Sequence, residues 1–315
     1  MSLDVASLRR ALCLAISLGI AVLAGIAHGK NVKPPLPDWQ ALAFTCTTEQ
    51  NPPVDPQADA WFLRARELEK QGISAHDAEM VRLYQMAADR GHYKAMLNLA
   101  GLYVRGIGVD KDEGKAVDLV ERAIKLNAPH AFYLMGVMLQ QGIGVKQDVR
   151  AAMSFFRRSA DLGNRYGQAA VGEEIIRAFQ RQPEPTKSRG KSIGRKALDC
   201  AISQGLPDAA HFLGVDYLIV EKDTSTALEY LQKAAALGSE KSLWRLYEIF
   251  DDGQHGVAKD PKRAFCYYEL RKQLRADPNR RFPDIDRLCP LVCPGTGGQV
   301  VKSYCSHSAA QTPSG

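Results

Sequence analysis

Apolar and polar positions recur along the middle of the chain with helical spacing, in short blocks that repeat. From Ala95 the sequence reads AMLNLAGLYVRGIGVDKDEGKAVDLVERAIKLN, and from Ala131, an offset of 36 residues, it reads AFYLMGVMLQQGIGVKQDVRAAMSFFRRSADLG. Gly106, Gly108, Val109, Asp112 and Ala116 return as Gly142, Gly144, Val145, Asp148 and Ala152. Each unit predicts two helices. The first carries Leu99, Leu102 and Tyr103, or Met135, Met138 and Leu139, on one face and stops at a Gly-x-Gly turn. There glycine takes the positive φ of a helix end at no steric cost. Asp112 or Asp148 is placed to cap the second helix. That helix ends at Asn127 or Gly163, and Pro129 suits the first turn of the next helix. Ala116 and Ala152 let neighbouring helices approach closely.

Weaker copies flank this pair. Upstream, Met80 to Gly91 reads as a second helix with Trp61 to Gly72 as its partner. Downstream, Ala209 to Gly238 has a turn about three residues shorter, and Ser242 to Leu274 one about a residue longer. Between Gly167 and Gly205 the pattern degrades, and a basic, Pro-containing stretch from Gln180 to Lys191 interrupts it. Its cations, with Arg195 and Lys196, read as a solvated loop. The expected domain is a run of about six helix pairs over residues 58–275, followed by a cysteine-containing tail at 276–315.

The motif A-x3-L-G-x2-Y-x2-G-x-G-V-x2-D-x2-K-A resembles the Sel-1-like repeat family, a relative of the tetratricopeptide repeat. Ala95, Leu99, Tyr103, Gly106, Gly108, Val109, Asp112, Lys115 and Ala116 satisfy it, with Ala100 and Asn127 in place of family glycines. Tyr230, Lys233, Ala234, Ala235 and Gly238 satisfy its later half in another copy. The resemblance implies an all-α fold, a right-handed α-solenoid of about six helix-turn-helix repeats, and a role as a binding scaffold.

Composition alters little in this picture. Hydrophobic residues make up 45% and charged residues 24%, as in globular chains, and a net charge of +6 over 315 residues does not call for nucleic acid or anionic lipid. The N-terminus and the cysteines matter more. Arg9 and Arg10 precede an apolar run from Ala11 to Ala27, and Ala27-His28-Gly29 offers small residues for cleavage, so residues 1–29 read as a secretory signal peptide. Left uncleaved, the run would anchor the chain in the inner membrane. Cleavage removes Cys13 and leaves Cys46, Cys200, Cys266, Cys289, Cys293 and Cys305, an even set that in an exported, periplasmic chain reads as disulfides. Cys266 is placed to staple the tail to the last repeat helix, with Cys46 and Cys200 open to a further pair. The spacing Cys289-x3-Cys293-x11-Cys305-x-His307 is also compatible with zinc, but disulfides are the simpler reading in that compartment.

Residues 30–57 read as an extended segment. Leu36-Pro-Asp-Trp-Gln40, Ala43-Phe-Thr-Cys46 and Asp55-Pro-Gln-Ala-Asp59 resemble the N-terminal part of a subset of exported bacterial Sel-1-like repeat proteins. Members of that subset are encoded beside phospholipase D-type effectors of the type VI secretion system and act as their periplasmic immunity proteins. The resemblance implies a protein partner, a cognate secreted lipase effector. The alternative is an envelope adaptor for a secretion, signalling or polysaccharide complex. Hydrolysis of cell-wall compounds belongs to disulfide-rich members, but the regular cysteine pair per repeat that marks them is missing.

Catalytic fragments are isolated. His92-x-Lys94 begins the phospholipase D motif H-x-K-x4-D, but Leu99 stands at the aspartate position. Ser188-Arg-Gly-Lys191 matches S-x-x-K without its companion motifs and falls in the basic insertion, away from any expected helix. The Gly-x-Gly turns lack a third glycine and follow helices. His76, His130, His211 and His255 show no metal spacing, so neither enzyme activity, cofactor nor metal is expected. With first helices lining the groove as in tetratricopeptide repeats, Lys94, His130, Tyr133, Gln140, His211, Trp244, Glu248 and Asp251 point into it. Aromatic and charged side chains mixed in this way suit a protein partner. Tyr133 and Trp244 equally fit as core between repeats.

Overall fold

The computed structural model describes residues 42–291; the signal-peptide reading, Cys293, Cys305 and His307 lie outside them. The described chain is all-α, a solenoid of helical hairpins. Its helices are α1 (Pro56–Gln71), α2 (Asp77–Asp89), α3 (Tyr93–Arg105), α4 (Glu113–Lys125), α5 (Pro129–Gln141), α6 (Val149–Asp161), α7 (Arg165–Phe179) and α8 (Thr186–Ser203). They continue with α9 (Pro207–Val215), α10 (Thr224–Ala236), α11 (Glu240–Asp252), α12 (Pro261–Ala276) and the short α13 (Ile285–Leu288). Two compact units part between Ile193 and Gly194. The first holds the hairpins α1/α2, α3/α4 and α5/α6, then α7 and the opening turns of α8. The second holds α9/α10 and α11/α12.

Local chemistry explains the hairpin. Gly106 and Gly142 end their helices at φ +67° and +76°, and each donates its amide back to the helix, to Leu102 O and Met138 O. The carboxylates of Asp112 and Asp148 accept the amides of Lys115 and Ala151 at 2.9 Å, capping α4 and α6. The capping residue also closes the turn, because its own amide returns to a carbonyl on the preceding helix: Asp112 to Tyr103 O at 3.0 Å, Asp148 to Leu139 O at 2.9 Å and Asp260 to Phe250 O at 2.8 Å. Asn127 takes φ +58° and Gly163 φ +84° at the ends of second helices.

The two glycines of each turn do different work. The first only caps. The second lies against the preceding hairpin: a Cβ on Gly108 would sit 2.9 Å from Asp77 O, and one on Gly144 would sit 2.5 Å from Glu113 O. Glu113 also accepts the Gly144 amide through its side chain, at 2.9 Å. Repeat stacking therefore depends on backbone approaching backbone.

The shortened turn is accommodated by widening a helix. After α9 the chain continues as a π-helix over Asp216–Glu221, with Lys222 in the left-handed region at φ +58°. Asp223, the cap of α10, then returns its amide to Tyr217 O at 3.0 Å, the same closure made with fewer intervening residues.

The basic insertion departs from the loop expected there. Ser188 and Lys191 lie on α8, and Lys191 is buried, its ammonium 2.6 Å from Gln180 Oε1. Gly190 permits this, since a Cβ there would come within 2.1 Å of the Phe179 ring. The polar sequence of the insertion hid the first turns of a helix that Gly190 brings against Phe179, while Ala197, Leu198 and Ala201 further along it are fully buried.

In the second unit, residues 277–291 fold back over α10 and α12. Phe282 donates its amide to Ala236 O, the Asp286 carboxylate accepts from Gln232, and Phe282, Ile285 and Leu291 are buried. A Cys266–Cys289 disulfide joins this segment to α12. Cys46 and Cys200 are also disulfide-bonded. Among the described residues no helix is long and apolar enough to cross a membrane.

Candidate functional site

The eight positions expected from the sequence to line a groove are divided between the two units and meet different surroundings. In the first unit, the chain's own N-terminal segment reaches the turns that lead into the first helices. Asp55 pairs with Arg90 at 3.0 Å, in the turn before α3, and Glu49 accepts from Asn164 at 3.2 Å, in the turn before α7. Between and beyond them Gln168 donates to Thr47 O at 2.9 Å and Arg157 to Ala43 O at 2.7 Å. Gly163 leaves room for the Thr48 carbonyl, which a Cβ would meet at 2.3 Å. Leu42 and Phe44 pack on the first unit's core.

Beside this strap, His130 stacks on Tyr133 at 5.6 Å and both rings meet Tyr166, at 5.3 and 5.4 Å. The same Asn164 amide nitrogen that meets Glu49 lies 3.4 Å from His130 Nδ1. Burial, aided by the Arg165 charge, pushes the His130 imidazole down to about 4, so the ring is neutral at physiological pH. Tyr133 also contacts Phe156. His130 and Tyr133 thus form a half-buried cluster between repeats. Lys94 and Gln140 are exposed; the Lys94 ammonium lies 5.7 Å from the Tyr93 ring, and the Gln140 carbonyl accepts from Gln147.

In the second unit, His211 is half-buried, with Nδ1 2.8 Å from the buried hydroxyl of Ser242, and burial lowers its pKa. Trp244, Glu248 and Asp251 occupy one stripe of α11; Trp244 is exposed and the two carboxylates are half-buried. Trp244 stacks on Tyr247 at 4.9 Å and lies under the Arg271 guanidinium at 4.4 Å, Glu248 pairs with Arg245 at 3.5 Å, and Asp251 accepts the Tyr247 hydroxyl at 3.2 Å. From Tyr247 the ring contacts continue to Tyr268 at 5.9 Å and on to Phe265 at 6.4 Å. Sequence reasoning missed Tyr247, Phe265, Tyr268 and Arg271 because it admitted only first-helix residues. The signal was available: Phe265 and Tyr268 align with core positions of earlier repeats, yet belong to the last one.

The catalytic fragments are structural. His92 is fully buried, caps α3 by accepting the Ala95 amide, stacks on Phe62 and meets Asp59 at 3.1 Å. Ser188 Oγ donates to Glu184 while Lys191 turns to Gln180. Cys289 is committed to its disulfide, and among the described residues no His, Cys, Asp or Glu side chains gather as a metal site.

Residues 81–92, 94–127, 129–164, 207–239 and 247–270 match the Sel1 repeat. The solved structure of immunity protein Pa5087 from Pseudomonas aeruginosa is 35% identical, with a TM-score of 0.64 over 79% of this chain and 94% of that one. The chain belongs to the Sel1-repeat family. Immunity protein PA5088 from the same organism is 33% identical, with a TM-score of 0.67 over 81% of this Sel1-repeat chain and 96% of that one. The rat DAP3-binding cell death enhancer 1 is 30% identical over 173 residues, 53% of this chain and 32% of that protein. The chain thus spans about a third of the length of that curated relative. Sel1 repeats form stacked helical hairpins, an architecture that presents extended binding surfaces.

Proposed function

We propose that this Sel1-repeat protein is a periplasmic immunity protein that binds and neutralises a secreted lipase effector of the phospholipase D type, delivered by type VI secretion. The observation that carries the reading is likeness along nearly the whole of two immunity proteins, at 33–35% identity. Disulfide-bonded cysteines fit export to an oxidising compartment. A lipase attacking the membrane from the periplasm is reachable only by an inhibitor in that compartment, and residues 1–29 supply the export signal for it. The protein acts by occupying the enzyme, not by chemistry of its own, through the expected groove residues Trp244, Glu248, Asp251, Lys94 and Gln140.

Competition between sibling strains tests this. A strain lacking the protein should be killed by siblings firing the neighbouring lipase, and the full-length gene, but not one lacking residues 1–29, should restore survival. Survival of the deletion strain would sink the proposal in favour of an envelope adaptor.

A further inference from the structure

The outward face of the last hairpin, α11/α12, is constructed as a repeat–repeat interface, and among the described residues no further repeat lies on it. The position occupied by Phe265 recurs in every second helix that keeps the motif, as Val81, Val117, Met153 and Leu228. In the first unit the next Gly-x-Gly turn closes it: a Cβ on Gly108 would lie 3.0 Å from Val81 Cγ2, and one on Gly144 would lie 2.8 Å from Val117 Cγ2. Phe265 is instead 61% exposed. Tyr268 aligns with Tyr84, Val120, Phe156 and Leu231, which are at most 3% exposed, whereas Tyr268 is 38% exposed. Trp244 aligns with Leu97, which is 7% exposed, and with Tyr133 and His211, which meet Tyr166 and Ser242 of the following repeat, and is itself 38% exposed. Three positions that are buried or half-buried in earlier repeats are exposed together among the described residues, where solenoids ordinarily turn polar.

The residues at this end are also larger than those they replace. Phenylalanine stands for valine, methionine or leucine, and tryptophan for leucine, tyrosine or histidine, so the glycine turn that fits over Val81 and Val117 would not fit over Phe265. A covering surface must be recessed to receive two aromatic side chains, the arrangement typical of interface anchors. The rim adds a charge preference. Arg271 and Arg275 both bond Glu240 Oε1, at 3.0 and 2.6 Å, so two guanidinium groups share one carboxylate and leave one positive charge in excess on this side of Trp244. On the other side Glu248 is paired with Arg245, and Asp251, which accepts the Tyr247 hydroxyl, lies two turns further along α11.

We infer that this face is the docking surface for the secreted lipase, and that the lipase presents to it an apolar recess flanked by a carboxylate. The inference rests on the immunity reading and names the surface that performs it. Phe265 and Trp244 seat in the recess, and the Arg271–Arg275 pair receives the carboxylate.

The test uses the full-length mature protein and the purified lipase encoded beside its gene, with affinity measured by calorimetry. Phe265→Asp and Trp244→Ala alter exposed side chains, and unchanged circular dichroism would verify that each variant folds. Each should weaken binding by at least about 30-fold, the effect of losing an interface hot spot. Arg275→Glu should weaken it by about 10-fold at low salt and by less at high salt, as screening predicts for a rim charge. Lys187→Glu, on α8, serves as the control and should leave affinity unchanged. If wild type binds and Phe265→Asp and Trp244→Ala stay within about twofold of it, the docking surface is wrong and the immunity reading stands. If wild type does not bind the lipase, both fall. A shift from dimer to monomer in Phe265→Asp, with lipase affinity retained, would assign the face to a second copy of the chain and overturn the proposal.

Discussion

Substituting Gly144 by alanine separates the two roles that glycine plays in the repeat turn. Gly142 and Gly144 both adopt positive φ, +76° and +64°, so alanine at either carries the same backbone penalty, about 1–2 kcal/mol. Their surroundings differ. A Cβ on Gly142 meets its nearest neighbour, Gln147 Cβ, at 3.5 Å, an ordinary contact. A Cβ on Gly144 would lie 2.5 Å from Glu113 O and 2.8 Å from Val117 Cγ2. Glu113 is the first residue of α4, and its carbonyl cannot retreat without carrying the helix start with it. Overpacking of this kind adds about 1–3 kcal/mol. Gly142→Ala should therefore cost about 1–2 kcal/mol and Gly144→Ala about 2–5 kcal/mol. Urea unfolding followed by circular dichroism measures both, the difference appearing in the midpoint. Equal losses at the two positions would refute the claim that the second glycine is there to let repeats stack.

Two further outcomes follow from buried chemistry. Because His130 has its pKa depressed to about 4, the unfolded chain binds more protons between that value and 6.5; its contribution is complete above pH 6.5 and is lost as pH falls toward 4. His211 and His255 are shifted in the same direction, so His130→Gln should flatten, not abolish, the fall of melting temperature between pH 7 and 4.5; an unchanged slope would contradict the burial argument. The Cys266–Cys289 bond closes a loop of sequence separation 23, worth about 3 kcal/mol by the chain-entropy relation. Cys266→Ala combined with Cys289→Ala should lower stability by about that much and expose residues 277–291 to protease, and equal protease resistance would show that Phe282, Ile285 and Leu291 hold the segment unaided.

Residue type and spacing alone determined the hairpins. Asp112 and Asp148 cap helices, and Gly106 and Gly142 end them, because these effects act within a few residues and need no distant partner. The same locality made the turns legible and disguised the start of α8, since its first turns are rich in Lys, Arg, Ser and Gly and its apolar stripe begins only at Ile193. Burial of Ala197, Leu198 and Ala201 anchors its later turns, and the approach to Phe179 through Gly190 shows how the polar start is held. Tertiary structure also decided which aromatics are free. His130 and Trp244 looked alike as groove residues, yet one lies in a cluster between repeats beside the strap and the other is open. Exposure depends on what the rest of the chain lays over a side chain, through contacts such as Asn164 with Glu49 that join residues over a hundred positions apart. Periodicity places a residue on a face, whereas only the stacking of one repeat on the next determines whether that face is covered.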